Sequence, residues 1–344
     1  MAARLGVTGV STMRGVVVGR AHQAALPLGR SVIVTIGIDR YAHWDQLECA
    51  KKDADSTRDA FLARGFEEVV APFADEQATR DALNALVVDG LRELSEHDQL
   101  VIFYAGHGGT RTEHPGGRKT QTGYLIPVDA ARDGDNVASW IELSAWLRSI
   151  SLLPPRHILV ILDSCSSGIA LHAPYRSRGA RREAHGALTM LQARASRRVI
   201  TSAIGDEPAL DNGPRDGQSL FTGCLLDVLD DAIRTGDRLT GSALGLRVQT
   251  RVSDYQGWTQ TPDFGAFDGD DRGELVIPGA DGELGEISGI TGGSTDFAPV
   301  YVPERRSLTP RLTSSWHALR RRWGVWPLAG IVFWILFLIG SALR

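Results

Sequence analysis

Four apolar runs constrain this chain more than any other feature: SVIVTIGID (31–39), QLVIFYAG (99–106), HILVILD (157–163) and RRVITSA (197–203). They are rich in β-branched residues, and the first three barely alternate between polar and apolar. That is the pattern of strands buried on both faces. The segments between them carry helical spacing. Residues 49–65 place Ala50, Ala54, Phe61 and Leu62 on one stripe, with Gly65 as the stop. Residues 76–94 do the same through Ala82, Leu83, Leu86, Val87 and Leu91. Residues 141–150, 220–233 and 242–252 also read as helices, and EEVVAPF (67–73) and YLIPV (124–128) as short strands. Strand and helix alternating in this way predict an α/β fold, a mostly parallel sheet covered on both faces. In such a sheet ligands bind beyond the carboxyl ends of the strands, so the chemistry is sought there.

Two strand ends carry it. QLVIFYAG runs into His107-Gly108-Gly109, and HILVILD runs into Ser164-Cys165-Ser166-Ser167-Gly168. If the two strands are neighbours, an imidazole and a thiol share one rim. Cysteine catalysis needs that pair: the thiolate attacks, and the histidine helps ionise it and later protonates the leaving amine. Glycines alongside permit close backbone approach, and their N–H groups can face a developing oxyanion. The chain holds three cysteines, too few for a disulfide framework or a four-cysteine zinc site. Cys224 lies within an apolar helix and reads as core, while Cys49, at the start of a helix, reads as packing. Serines flank Cys165, but there is no G-x-S-x-G elbow, and no His/Cys/Glu set has the spacing of a metal site. No metal is assigned.

The ends of the chain are different in kind. WGVWPLAGIVFWILFLIGSAL (323–343) contains no charge, and at 1.5 Å per residue it spans roughly 30 Å, the thickness of a bilayer core. Arg320, Arg321 and Arg322 precede it and only Arg344 follows. The positive-inside rule then predicts a single-pass tail anchor with the catalytic body in the cytoplasm. Residues 279–322 read as a flexible linker, richest in Gly, Ser, Thr and Pro over 279–315. Residues 1–30 read as a loose leader, because Arg4, Arg14 and Arg20 interrupt any signal-peptide core. A net charge of 37 − 41 = −4 gives no basic excess that would point to nucleic acid.

Over residues 31–278 the sequence resembles the caspase-like cysteine peptidases, the group of caspases, metacaspases and paracaspases. The resemblance rests on VTIGIDRY, LVIFYAGHGG, GYLIPVDA, ILVILDSCSSG, VITSAIGDEPALD, SLFTGCLLDVL, LTGSALGLRVQTRV and QTPDFGAF, in that order. It is nearer the bacterial members than the animal caspases. It implies a three-layer sandwich and a catalytic dyad, with Cys165 as nucleophile and His107 as general acid and base. It further implies an oxyanion hole formed by the N–H groups of Gly108 and Cys165. An acid two residues before the cysteine, here Asp163, lines the specificity pocket of metacaspases. A second comes from a helix motif matched by Ala50-Lys51-Lys52-Asp53-Ala54, which makes Asp53 the counterpart, although Lys52 stands where asparagine is usual. Two carboxylates in a pocket favour an arginine or lysine side chain, so the expected substrate is a protein or peptide cut after Arg or Lys.

Two further expectations follow from the resemblance. The basic segment 169–196, with Arg176, Arg178, Arg181, Arg182 and Arg194, is a place for self-cleavage. Some relatives need calcium, and Asp129, Asp133 and Asp135 form an oxygen-rich run, though in no EF-hand spacing. The expected chemistry itself uses no cofactor. The alternatives are a catalytically silent, membrane-anchored scaffold of the same fold, and an esterase built on the same sheet. Oligomeric state is not legible.

Overall fold

A computed structural model describes residues 29–117, 119–132, 137–165, 191–204, 207, 209–255 and 260–279. The membrane segment expected over 323–343, nearly all of the leader and linker, and most of the 169–196 segment lie outside the described residues. Among the described residues no helix is long and apolar enough to cross a membrane.

The four apolar runs form the centre of a six-stranded sheet. In chain order the first elements are β1 (Ser31–Gly37), α1 (Ala50–Leu62), β2 (Phe73–Ala74), α2 (Arg80–Ala85) and β3 (Gln99–Ala105). A polar hairpin follows, β4 (Gly108–Glu113) and β5 (Thr120–Leu125), then β6 (Ile141–Glu142), α3 (Leu143–Ser151) and β7 (His157–Asp163). The remainder is β8 (Ser196–Thr201), α4 (Leu220–Thr235), β9 (Leu239–Thr240), α5 (Gly241–Ser253), β10 (Asp263–Ala266) and β11 (Val276–Ile277). The main sheet has the order β10-β8-β7-β3-β1-β2. Every pairing in it is parallel except β10 with β8 at one edge.

Alternate residues of the central strands feed two separate cores. Val32, Val34, Leu100, Ile102, Ile158 and Val160 pack toward α2, α3 and the turn after α2. Ile33, Val101, Phe103, Leu159 and Ile161 pack toward α1, α4 and α5. This double burial is why the strands carry no polar face, and it makes the architecture three layers. Truncating a fully buried ring such as Phe61 to alanine costs about 3–5 kcal/mol. Gly65, at φ 78°, ends the first helix as its sequence predicts. Just before it the buried Arg64 donates to the carbonyls of Ala60 and Leu229, tying α1 to α4.

Three local expectations are corrected. The 76–94 helix is α-helical only over Arg80–Ala85, started by Thr79, whose hydroxyl accepts the Ala82 N–H at 3.2 Å. It then widens into a π-turn over Leu86–Gly90, where two β-branched residues precede Asp89 and Gly90. EEVVAPF contributes only an isolated bridge from Glu67 to Val32 and the first residue of the two-residue β2, because Pro72 has no N–H to give a ladder. YLIPV is not part of the parallel sheet. Its first two residues close β5, which pairs antiparallel with β4 and β6 in a separate three-stranded sheet.

Candidate active site

The register of the sheet sets the site. Gly37 pairs with Ala105 and Ala105 with Asp163, so the carboxyl ends of β1, β3 and β7 lie in one row. From β1 the chain moves outward to β2, whereas from β3 it moves the other way to β7 and β8. The order therefore reverses between β1 and β3, and a crevice at this point is where such sheets take ligands. Two residues beyond the row on β3 stands His107, and two residues beyond it on β7 stands Cys165. The Gly106 N–H donates to the Asp163 carbonyl at 3.2 Å, holding the two chain ends together past the ladder. At Gly108 the approach is closer still, since any Cβ there would collide with the Cys165 carbonyl oxygen. Gly108 also sits opposite Leu125 in a pair flanked by the Ile126 N–H to His107 carbonyl bond. That makes it a non-hydrogen-bonded pair, with the Gly108 N–H turned away from β5.

Cys165 is half-buried, and its Sγ accepts the Ala209 N–H at 3.3 Å. Ser202 fixes the residue before it: its hydroxyl accepts the Ser164 N–H at 3.1 Å and donates to the Ser164 carbonyl at 3.2 Å. His107 is held from three sides. Its N–H donates to the Tyr41 hydroxyl at 2.7 Å, and its carbonyl accepts from the Tyr104 hydroxyl at 2.9 Å. Its ring lies 4.7 Å from that of Tyr41 and 5.6 Å from that of Trp44. Its Nε2 lies 2.8 Å from the Asp45 main-chain carbonyl. A carbonyl can only accept, so Nε2 carries the hydrogen, and in the neutral ring Nδ1 is left as the acceptor.

The two expected pocket acids converge. Asp53 projects from α1 and Asp163 ends β7, and both are buried. Ser219, the N-cap of α4, joins them: its N–H lies 3.3 Å from each Asp53 carboxylate oxygen, and its hydroxyl donates to Asp163 Oδ2 at 2.5 Å. Thr222 donates to the same Oδ2 at 2.7 Å. Asp163 Oδ1 is buried and has no hydrogen-bond partner among the described residues. Burial, then the neighbouring Asp163, pushes the Asp53 carboxyl up to about 8. Burial likewise raises Asp163, against the pull of the Ser219, Thr222 and Ser202 hydroxyls. Asp53 is thus no solvated helix carboxylate. A third acid, the exposed Asp211, accepts from the Cys49 thiol at 3.0 Å. Burial and that bond hold the Cys49 thiol well above its usual value. Cys49 therefore packs beside the acids, and Cys224 is core, as read from sequence.

The sequence reading passed over Asp211, Ser219, Thr222, Tyr41 and the Asp45 carbonyl. The first three lie in the motifs quoted above or directly beside them, but no spacing rule links them to Asp53 or Asp163. A separate hollow beyond β1 and β2 is lined by Asp39, Arg40, Lys51, Asp75 and Glu76. Two of its carboxylates are already engaged. Asp75, at φ 44°, accepts the N–H groups of Asp39 and Arg40, and Asp39 accepts that of Ala50 at the start of α1. Of the calcium candidates, Asp129 accepts the Arg80 N–H at 2.9 Å, while Asp133 and Asp135 lie outside the described residues. Among the described residues no cluster of three or more acidic, histidine or cysteine side chains has the arrangement of a metal site.

The fold is that of a caspase-like α/β protein. The caspase-domain model matches residues 30–267, and the chain belongs to that peptidase family. Among solved structures the chain is similar to the protein GSU0716 from Geobacter sulfurreducens. The two are 18% identical, with a TM-score of 0.48, over 70% of this chain and 94% of that one. No curated protein matches the chain.

Proposed function

We propose that this chain is a cysteine endopeptidase that cuts after arginine or lysine and is held to a membrane by residues 323–343, with its catalytic body in the cytoplasm. In the reaction the Cys165 thiol gives its proton to Nδ1 of His107, and the sulfur attacks the scissile carbonyl carbon. The N–H groups of Gly108 and Cys165 receive the oxyanion. His107 then passes its proton to the leaving amine, the C–N bond breaks and a thioester remains. Water, deprotonated by His107, attacks the thioester, and the acid product departs as the thiol is restored. Every step is carried by groups of the chain itself, so no cofactor is assigned.

The observation that carries the reading is the level placement of His107 and Cys165 on neighbouring strand ends, with Nε2 already committed to a carbonyl. The preference for a basic side chain is supported by Asp163 Oδ1. A buried carboxylate oxygen without a partner is costly, and a guanidinium or ammonium group would satisfy it. Asp53 and the exposed Asp211 add acceptors along the same approach. The test is positional scanning of fluorogenic peptides with wild type and Cys165→Ala. Cleavage confined to Arg and Lys, and lost in Cys165→Ala by about 10³-fold or more, is the expected result. Activity on simple esters alone, or none in the wild type, would leave the esterase or the silent scaffold instead.

A further inference from the structure

The carbonyl that orients His107 sits on an exposed loop, and one distant side chain holds that loop at the residue that matters. The ends of the loop are fixed by main-chain bonds: Ala42 N–H to the Val128 carbonyl at 3.0 Å and Leu47 N–H to the Asp39 carbonyl at 2.9 Å. Within it, the Gln46 amide donates to the Tyr41 carbonyl at 2.8 Å. At Asp45 itself the tie is Arg132, which follows β5 and reaches back across 87 positions. Its two terminal nitrogens donate to the two Asp45 carboxylate oxygens, each at 2.8 Å, a paired fork. The same guanidinium lies 5.9 Å from the Trp44 ring centroid, over the ring that packs against His107. The base of Arg132 is anchored in turn. The Ala131 carbonyl accepts from the Trp140 indole at 2.8 Å, and the Ala131 N–H donates to the Ser139 hydroxyl at 3.0 Å. Trp140 meets Trp44 edge-on at 5.4 Å, closing the frame.

We propose that Arg132 is a positioning residue for catalysis: by gripping the Asp45 carboxylate and the Trp44 face, it holds the Asp45 carbonyl on Nε2 of His107. It touches neither substrate nor the reacting atoms. Its partner is well exposed, so the pair adds little to folding. What it supplies is the setting of one main-chain oxygen. When that oxygen drifts, the imidazole can turn, or move its hydrogen to Nδ1, where it can no longer take the thiol proton. The fork matters as well as the charge, because lysine offers neither two parallel donors nor a plane to lie over indole.

The inference rests on the role given to His107 in the peptidase reading, and its test separates the two. Arg132→Gln, Arg132→Lys, Asp45→Asn and the Asp45→Asn/Arg132→Gln double variant are compared with wild type on a peptidyl-arginine substrate. The expected result is a fall in kcat of about tenfold in Arg132→Gln and Asp45→Asn, with KM within about twofold. Arg132→Lys should fall between them and wild type, and the double variant should be no worse than either single change. Thermal midpoints should match. A kcat equal to wild type, single losses that multiply, or a loss lying in KM would overturn the proposal. In parallel, nitrogen-15 spectra of the histidine ring read the tautomer without any substrate. A His107 Nε2–H form that is dominant in wild type and depleted in Arg132→Gln sustains the proposal even if no peptide is cleaved. Identical spectra in the two proteins refute it even if peptides are cleaved.

Discussion

Burial has made Asp53 a weak acid, and that has a kinetic consequence. With its carboxyl raised to about 8, Asp53 is protonated at neutral pH. An incoming guanidinium needs the anion, so binding must release that proton below pH 8, and release is easier as pH rises. KM for a peptidyl-arginine substrate is therefore expected to fall as pH rises from about 6 to about 8. Asp53→Asn should raise KM about tenfold or more and flatten that dependence. Steady-state kinetics across this range decides it, and an unchanged slope in Asp53→Asn would place the titration elsewhere. At this scale the sequence was unevenly legible. Cys165 and His107 announce themselves because each follows a buried strand. Asp163 and Asp53 came only through family resemblance, and Asp211 reaches the site from the far side of the cysteine strand. The Asp45 carbonyl could not be read at all, since any residue type at position 45 supplies the same main-chain oxygen.

The α4 helix does two jobs at its first turn. Ser219 accepts the Thr222 N–H at 2.9 Å as an N-cap while donating to Asp163. Ser219→Ala is thus expected to cost about 1 kcal/mol in a urea titration and also to weaken arginine substrates. Thr79→Ala, which removes the N-cap of α2, should lose comparable stability and leave KM unchanged. Equal effects of the two variants on KM would mean that the Ser219 contact has no bearing on substrate. Element type was legible wherever burial was two-sided. β1, β3 and β7 come out within two residues of their apolar runs, because both faces needed apolar side chains. It was not legible in β4, whose sequence GGTRTE has no hydrophobic signal and owes its strand to pairing with β5. Nor was it legible in the π-turn after α2, because Leu86, Val87 and Leu91 fall on one face of a regular helix as well and their spacing gives no sign of the wider turn.

For the whole molecule, the proposed catalytic and anchoring roles are expected to be separable. The full chain is expected to float with phospholipid vesicles, and a chain ending at residue 322 to stay with the soluble fraction while keeping its activity on short peptides. Flotation of the shortened chain would transfer membrane binding to the body. The order of the sheet carries one more consequence. Residues 164–195 separate β7 from β8, yet β8 lies between β7 and β10, zipped to β7 over six residue pairs. Ser219, later still, grips an acid contributed by β7. A backbone severed in that interval would yield two polypeptides paired along β7 and β8 in one sheet. Neither could leave without breaking the ladder between β7 and β8, so scission there would not change the company the two pieces keep.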